Sequence, residues 1–193
     1  MPHAGAKKAD RRTLYTRQVI KDAFLSLKKN LSFNAITVSA LCREAGISRG
    51  TFYLHYQNTM DVLDDILEDI LPQINDLMPQ VSLASADTPC RLSPFCVFMR
   101  KNANYHCIFL DDSLDSYLME KILSKYRETA IKELKAHSDL SEAQLETVLY
   151  FQFSGCFAAA KRNIRIGDGE WCQMQAVLDT FIRNGLKGCI SGS

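Results

Sequence analysis

The chain has 193 residues, enough for one well-buried domain or for a small head joined to a larger body. With 47% hydrophobic and 23% charged residues, its composition excludes a disordered or fibrous chain. The net charge of +1 conceals an uneven distribution, because residues 1–57 hold ten Lys/Arg against three Asp/Glu, while residues 58–193 hold thirteen against nineteen. A basic head on an acidic body fits a nucleic-acid binder with a separate regulatory part. No apolar run approaches the ~20 residues of a membrane span. The polar, basic stretch from Met1 to Arg12 lacks the apolar core of a secretory signal, so a cytoplasmic protein without membrane partners is expected. The cysteines, Cys42, Cys90, Cys96, Cys107, Cys156, Cys172 and Cys189, are odd in number and form no CxxC pair. They are expected to act as small buried hydrophobes rather than as disulfides.

Sustained period-2 alternation is lacking, and helical periodicity runs through almost every long segment, so the fold class is all-α with about nine helices. After a basic N-terminal arm over residues 1–11, Ile20, Ala23, Phe24 and Leu27 follow the i, i+3, i+4, i+7 spacing of a first helix from about Arg12 to Asn30. Thr37 caps a short second helix that ends at Gly46, and Ser48 caps a third that ends near Tyr56. Asn58 or Thr59 opens a fourth helix carrying Val62, Leu63, Ile66, Leu67 and Ile70 on one face. Pro72, Pro79 and the Ser- and Ala-rich residues to Asp87 predict a linker. Thr88-Pro89 opens a helix to about Asn102, and one helix or a pair spans Ser113 to His137. Ser141 and Gln144 form a capping box for a helix to about Ile166. Gly167-Asp168-Gly169 predicts a turn before a last helix from Glu170 to about Gly188.

Two short helices joined by a Gly-containing turn form the unit that presents a helix to the major groove. Val38, Leu41 and Ala45 give the second helix an inner face, Ile47 plugs the turn, and Gly46 supplies its positive φ. Phe52 and Tyr56, four apart, turn the third helix toward the same core, which leaves Arg49, Gly50, Thr51, Tyr53 and His55 outward. An outward Arg49 can reach guanine O6 and N7 or a phosphate, Gly50 lets backbone approach the groove floor, and Thr51 offers a hydroxyl and a methyl. Tyr53 and His55 can donate to phosphate oxygens, as can the amides of the helices capped by Thr37 and Ser48.

The stretch from Ile36 to Tyr56, ITVSALCREAGISRGTFYLHY, with its continuation Asp61-Val62-Leu63, resembles the DNA-binding domain of the TetR family of bacterial regulators. The resemblance covers about residues 12–70. It implies a helix-turn-helix head over residues 12–57, a helical regulatory and dimerisation body over residues 58–193, and a homodimer on a palindromic operator. It also implies base readers at Arg49, Gly50 and Thr51, and phosphate contacts at Thr37, Ser39, Ser48, Tyr53 and His55. The sequence departs from the family pattern at Cys42, where Ala is usual, and at Thr59, where a Lys commonly opens the fourth helix. Without that Lys, one phosphate contact is in doubt and the salt dependence of binding is expected to be smaller.

In the body, Leu145, Val148, Leu149, Gln152 and Cys156 form one helix stripe, beside the small residues Ser154, Gly155, Ala158 and Ala159. Met174, Val177, Leu178, Phe181, Ile182 and Leu186 form another. Helped by the resemblance, these last two helices are expected to join two copies as a four-helix interface. Phe95, Phe98, Met99, Phe109, Tyr117, Tyr126, Tyr150 and Phe153 are candidates to line an apolar effector pocket. No nucleophile elbow, P-loop or paired-carboxylate motif is present, and His106-Cys107 alone is too few ligands for a metal. Neither an enzyme nor a cofactor or metal is expected. The leading expectation is a homodimeric repressor released by a small-molecule effector. Its alternative is a TetR-like coactivator whose body binds a partner protein.

Overall fold

In a computed structural model of the chain, residues 4–75, 94–136 and 138–190 are described. Among them are nine α-helices and no strand: α1 (Ala4–Lys28), α2 (Val38–Glu44), α3 (Arg49–Tyr53), α4 (Thr59–Asn75), α5 (Pro94–Lys101), α6 (His106–Phe109), α7 (Asp115–Lys135), α8 (Glu142–Asn163) and α9 (Asp168–Ile190). Three single turns of 3-10 helix, Phe33–Ala35, Ala103–Tyr105 and Asp112–Leu114, join some of them.

The capping residues set the helix starts. Thr37 Oγ1 accepts from the Ala40 amide at 3.2 Å, and Ser48 Oγ from the Thr51 amide at 3.0 Å. Asn58 Oδ1 accepts from Met60 and Asp61 at 2.8 and 3.1 Å and starts α4. At the start of α8 the Gln144 side chain accepts from the Ser141 amide at 2.8 Å and the Ser141 hydroxyl accepts in return, a complete capping box. Gly46, with φ of 64°, stops α2 and turns the chain into α3.

Several boundaries differ from the sequence pattern. Residues Ala4 to Asp10, expected as an irregular arm, continue α1. Helix α3 stops at Tyr53, one turn before Tyr56. Helix α4 runs through Pro72 to Asn75, since a proline near a helix end removes only one backbone bond. Asp168 and Gly169, expected in a turn, form the first turn of α9. Of the linker expected from Pro72 to Asp87, residues 72–75 belong to α4, and residues 76–87 with the cap at Thr88 lie outside the described residues. Cys42 is buried and Cys107 and Cys156 are half-buried, but Cys172 is exposed on α9, contrary to the expectation of buried thiols.

The chain divides into two compact units, the first comprising residues 1–70 and 107–114 and the second residues 71–106 and 115–193. The first therefore extends past the head boundary expected at residue 57. It draws on a segment whose neighbours in sequence, His106 and Asp115, belong to the second. Its core contains Ile20, Phe24, Leu41, Phe52, Leu63, Leu67, Ile70, Ile108 and Phe109. In the second unit α7 and α8 pack as a hairpin around Ile131, Leu134, Leu145 and Leu149. Arg100 of α5 holds the α8–α9 connection: its Nη1 donates to the Ile164 and Ile166 carbonyls at 3.2 and 2.8 Å. Its Nη2 pairs with Asp168, and the guanidinium lies 5.1 Å from the Trp171 ring.

Candidate nucleic-acid interface

Helix α3 has five residues, too few to be stable alone, so tertiary contacts must orient it. Phe52 supplies the main one: its ring is fully buried, with Tyr53 edge-on at 5.6 Å and Tyr56 at 5.8 Å. Burying Phe52 forces the opposite side of the helix outward. Arg49, Gly50 and Tyr53 are exposed there, and Thr51 and His55 are half-buried. Leu54, which the sequence reading did not single out, is 81% exposed. No periodicity argument could assign it, because it lies where α3 has already ended.

The polar groups on this face are held by one another. Arg49 Nη2 donates to Ser39 Oγ at 2.7 Å and so ties the first residue of α3 to α2. The Ser48 and Thr51 hydroxyls share a hydrogen bond of 2.9 Å, which leaves one of their protons for another acceptor. Thr37, exposed at the start of α2, accepts through its oxygen and keeps its own O–H to donate. Gly50 has ordinary helical geometry, and an added Cβ would meet only Ser48 Oγ at 3.6 Å. The head's own packing does not require a glycine there. At Thr59, where the expected Lys is missing, Asn58 caps α4 and Asp61 accepts from the Gln57 amide at 2.7 Å. The start of α4 thus offers a carboxylate rather than a cation.

Charge is distributed differently from the sequence expectation. Asp61, Asp64, Asp65, Glu68 and Asp69 of α4, with Asp111 and Asp112, belong to the first compact unit and cancel the +7 of residues 1–57. That unit has no net charge. Instead, its acids neutralise some of its cations. Arg17 grips Asp65, with Nη2 2.7 Å from Oδ1 and Nε 3.1 Å from Oδ2, while Lys21 pairs with Asp69. Lys28 lies 2.6 Å from Asp111, both side chains being nearly out of solvent at 4% and 9% exposure. Asp111 also accepts from the Phe33 amide at 2.8 Å and from the Ser113 amide and hydroxyl at 3.0 and 2.7 Å. Burial would raise its carboxyl, but Lys28, Ser113 and the Phe33 amide outweigh that and hold it well below the usual carboxylate range. Arg11, Arg12, Lys29, Arg43 and Arg49 remain exposed. Sequence composition missed this pairing, because the acids lie beyond the boundary drawn at residue 57.

The aromatic residues expected to line a pocket in the body fall in both compact units. Phe98 and Met99 are buried in the second unit, where Phe98 stacks on Tyr105 at 6.2 Å. Tyr126 is buried and donates to the Leu71 carbonyl, and Phe153 packs against the α7–α8 core. Tyr117 lies under the Lys121 ammonium at 5.5 Å. Phe109, however, is part of the first unit, because α6 folds back into it. Tyr150 stands on the surface, because α8 turns Leu145 and Leu149 inward instead. The Phe95 side chain lies outside the described residues. Around the same helices, Tyr150 and Phe151 of α8 and Val177 and Phe181 of α9 are between 60% and 71% exposed. Burial on α9 falls on Trp171, Gln175 and Asp179.

Two short helices joined by a turn, the second with an outward face, form the helix-turn-helix arrangement of many DNA-binding proteins. Residues 32–66 match the family described as bacterial regulatory proteins, tetR family. The chain is 35% identical over 71 residues to an uncharacterised HTH-type transcriptional regulator, YxbF, of Bacillus subtilis (strain 168). That match covers 36% of this chain and 19% of the relative, so it spans about a fifth of the relative's length. Two solved structures share the fold over nearly the whole chain. One is a TetR transcriptional regulator from Streptococcus agalactiae 2603V, at 21% identity and a TM-score of 0.66, covering 94% of this chain and 98% of that one. The other is the dihydroxyacetone kinase operon activator DhaS, at 20% identity and 0.58, covering 92% and 99%. Through residues 32–66, the head matches the TetR family of transcriptional regulators.

Proposed function

We propose that the protein is a cytoplasmic, homodimeric repressor that places two copies of α3 in successive major grooves of a palindromic operator. The observation that carries this reading is the outward face of α3, where Arg49, Gly50 and Tyr53 are exposed opposite the fully buried Phe52. Arg49, held by Ser39, reads a guanine, and Thr51 contacts a neighbouring base edge. Gly50 supports the same reading. A helical glycine costs about 1 kcal/mol relative to alanine, and here its space serves no internal contact, so a close approach to a base explains it. Thr37, Ser39, Ser48, Tyr53 and His55 contact phosphates and set the register.

The exposed Tyr150, Phe151, Val177 and Phe181 support a second copy as the partner of α8 and α9. Beside Phe151 on α8, Gly155 and Ala158 are exposed and small enough to admit a facing helix closely. An effector in the body releases DNA if it binds the non-DNA geometry better, by ~3 kcal/mol for a ~150-fold loss of operator affinity. The coactivator alternative draws on DhaS, which shares the fold and is described as an operon activator. It requires that an exposed apolar patch on the body, such as the exposed α8 and α9 residues, take a different protein.

Selection of binding sites from random duplex DNA with the purified chain tests the main reading. It should return an inverted repeat with half-site centres about one DNA turn, ~34 Å, apart. Recovery of unrelated sequences at every salt concentration, or of a single unrepeated half-site, would refute it.

A further inference from the structure

Three elements of the first unit converge on one carboxylate. Tyr56, three residues past the end of α3, donates its phenol proton to Asp65 Oδ2 at 2.5 Å. Arg17 of α1 occupies both Asp65 oxygens, and its guanidinium lies 5.7 Å from the centre of the Tyr56 ring. Lys21 approaches Oδ2 at 3.8 Å. Asp65 itself sits among Val62, Leu63, Ile66 and Leu67, all buried.

Packing alone does not explain this arrangement. A phenylalanine at position 56 would keep the buried ring and its contact with Phe52. Taking a carboxylate and a guanidinium out of water is costly, and apolar residues in their place are often as stable. What the polar cluster adds is direction. A five-residue helix held only by Phe52 can rock about that side chain, and a second anchor at Tyr56 removes the freedom. Tyr53, edge-on to Phe52, and Arg49 at the other end of the helix both depend on that angle. Recognition groups must be held to about 10–20° by the residues behind them.

We infer that Asp65 is a positioning residue for DNA reading: through Tyr56 and Arg17 it fixes the angle of α3 against α1 and α4. The inference rests on the DNA-binding reading above. The cluster keeps its protonation state over the working pH range. Burial, then the bond to Asp65, pushes the Tyr56 phenol up, so it remains a donor. Burial works against the Asp65 carboxylate, but Tyr56, Arg17 and Lys21 together hold it below its usual range, so it remains an acceptor.

The test uses the full chain as Tyr56→Phe, as Asp65→Asn and as the double variant. Anisotropy gives the ratio of affinity for the selected site to affinity for a scrambled duplex of equal length. Thermal unfolding and the salt slope on the scrambled duplex are read in parallel. Tyr56→Phe should lower the specificity ratio about tenfold while the salt slope stays unchanged, because the phosphate contacts keep their number. The double variant should bind no worse than Asp65→Asn alone, since both substitutions break one interaction. A ratio within twofold of wild type for folded Tyr56→Phe overturns the inference, as does full additivity of the two changes. If wild type itself prefers no sequence, the DNA-binding reading fails and this inference falls with it.

Discussion

The two charged residues buried among the described residues of the first compact unit, Lys28 and Asp65, both have close partners. Lys28 meets Asp111, and Asp65 takes Tyr56 and Arg17. In the second unit, buried Gln175 has no hydrogen-bond partner for Nε2 among the described residues, and Tyr150, Phe151, Val177 and Phe181 stand in solvent. Unsatisfied buried groups and exposed aromatic residues are both uncommon in a finished monomer surface. In the reading proposed here, the head's interior is settled within one chain, whereas the exposed face of α8 and α9 takes a second copy.

The contrast can be broken most decisively at the body. Phe151→Glu with Phe181→Glu should abolish the dimer at micromolar concentration, as read by sedimentation, and leave the helical content intact. A variant that still sediments as the wild-type dimer would place the interface elsewhere. A smaller but still large effect is expected in the head. Lys28→Met should cost about 3 kcal/mol of unfolding free energy, because it leaves a buried carboxylate without its counter-charge. Loss of less than about 1 kcal/mol in a denaturant titration would show that Asp111 is satisfied by Phe33 and Ser113 alone.

Arg49→Ala sharpens the distinction between holding the head and reading DNA. It should cost about 1–3 kcal/mol of discrimination at one base pair and leave stability nearly unchanged, since it is exposed and, among the described residues, bonds to half-buried Ser39. Equal selectivity of variant and wild type would remove it from the readers. The mildest effect is expected in acid. Asp65 and Asp111 both have folded carboxyls held below their unfolded range, so their pairing contributes in full above about pH 4. That contribution fades as the pH falls through the lower folded values. Asp111→Asn should therefore flatten the loss of stability below about pH 4, measured by chemical unfolding at several pH values.

Much of the head was legible in the residues. Thr37 and Ser48 cap the helices they were expected to cap, as Ser141 does in the body, and Gly46 adopts the positive φ its turn requires. The outward face of α3 followed from Phe52 and Tyr56 being four apart and apolar. A hint of the Asp65 cluster was also present, because an acid flanked by Val62, Leu63, Ile66 and Leu67 lies on a stripe that should be buried. What it would pair with was not readable, since Arg17 is 48 positions away. The body was harder. The α9 stripe of Met174, Val177, Leu178, Phe181 and Ile182 is wider than one partner can cover, and periodicity cannot choose its inner edge. The structure turns Trp171, Gln175 and Asp179 inward and leaves Val177 and Phe181 out.

Sequence alone determined the all-α class, most helix starts and the helix-turn-helix with its outward residues, because caps, a positive-φ glycine and 3.6-residue periodicity act within a few positions of chain. Only the tertiary structure decided which charges cancel, which aromatic residues remain exposed, and that residues 107–114 fold with the head. Those outcomes depend on groups brought together from tens of residues apart, as when Asp111 meets Lys28 and Phe33. Local pattern carries no record of such a meeting.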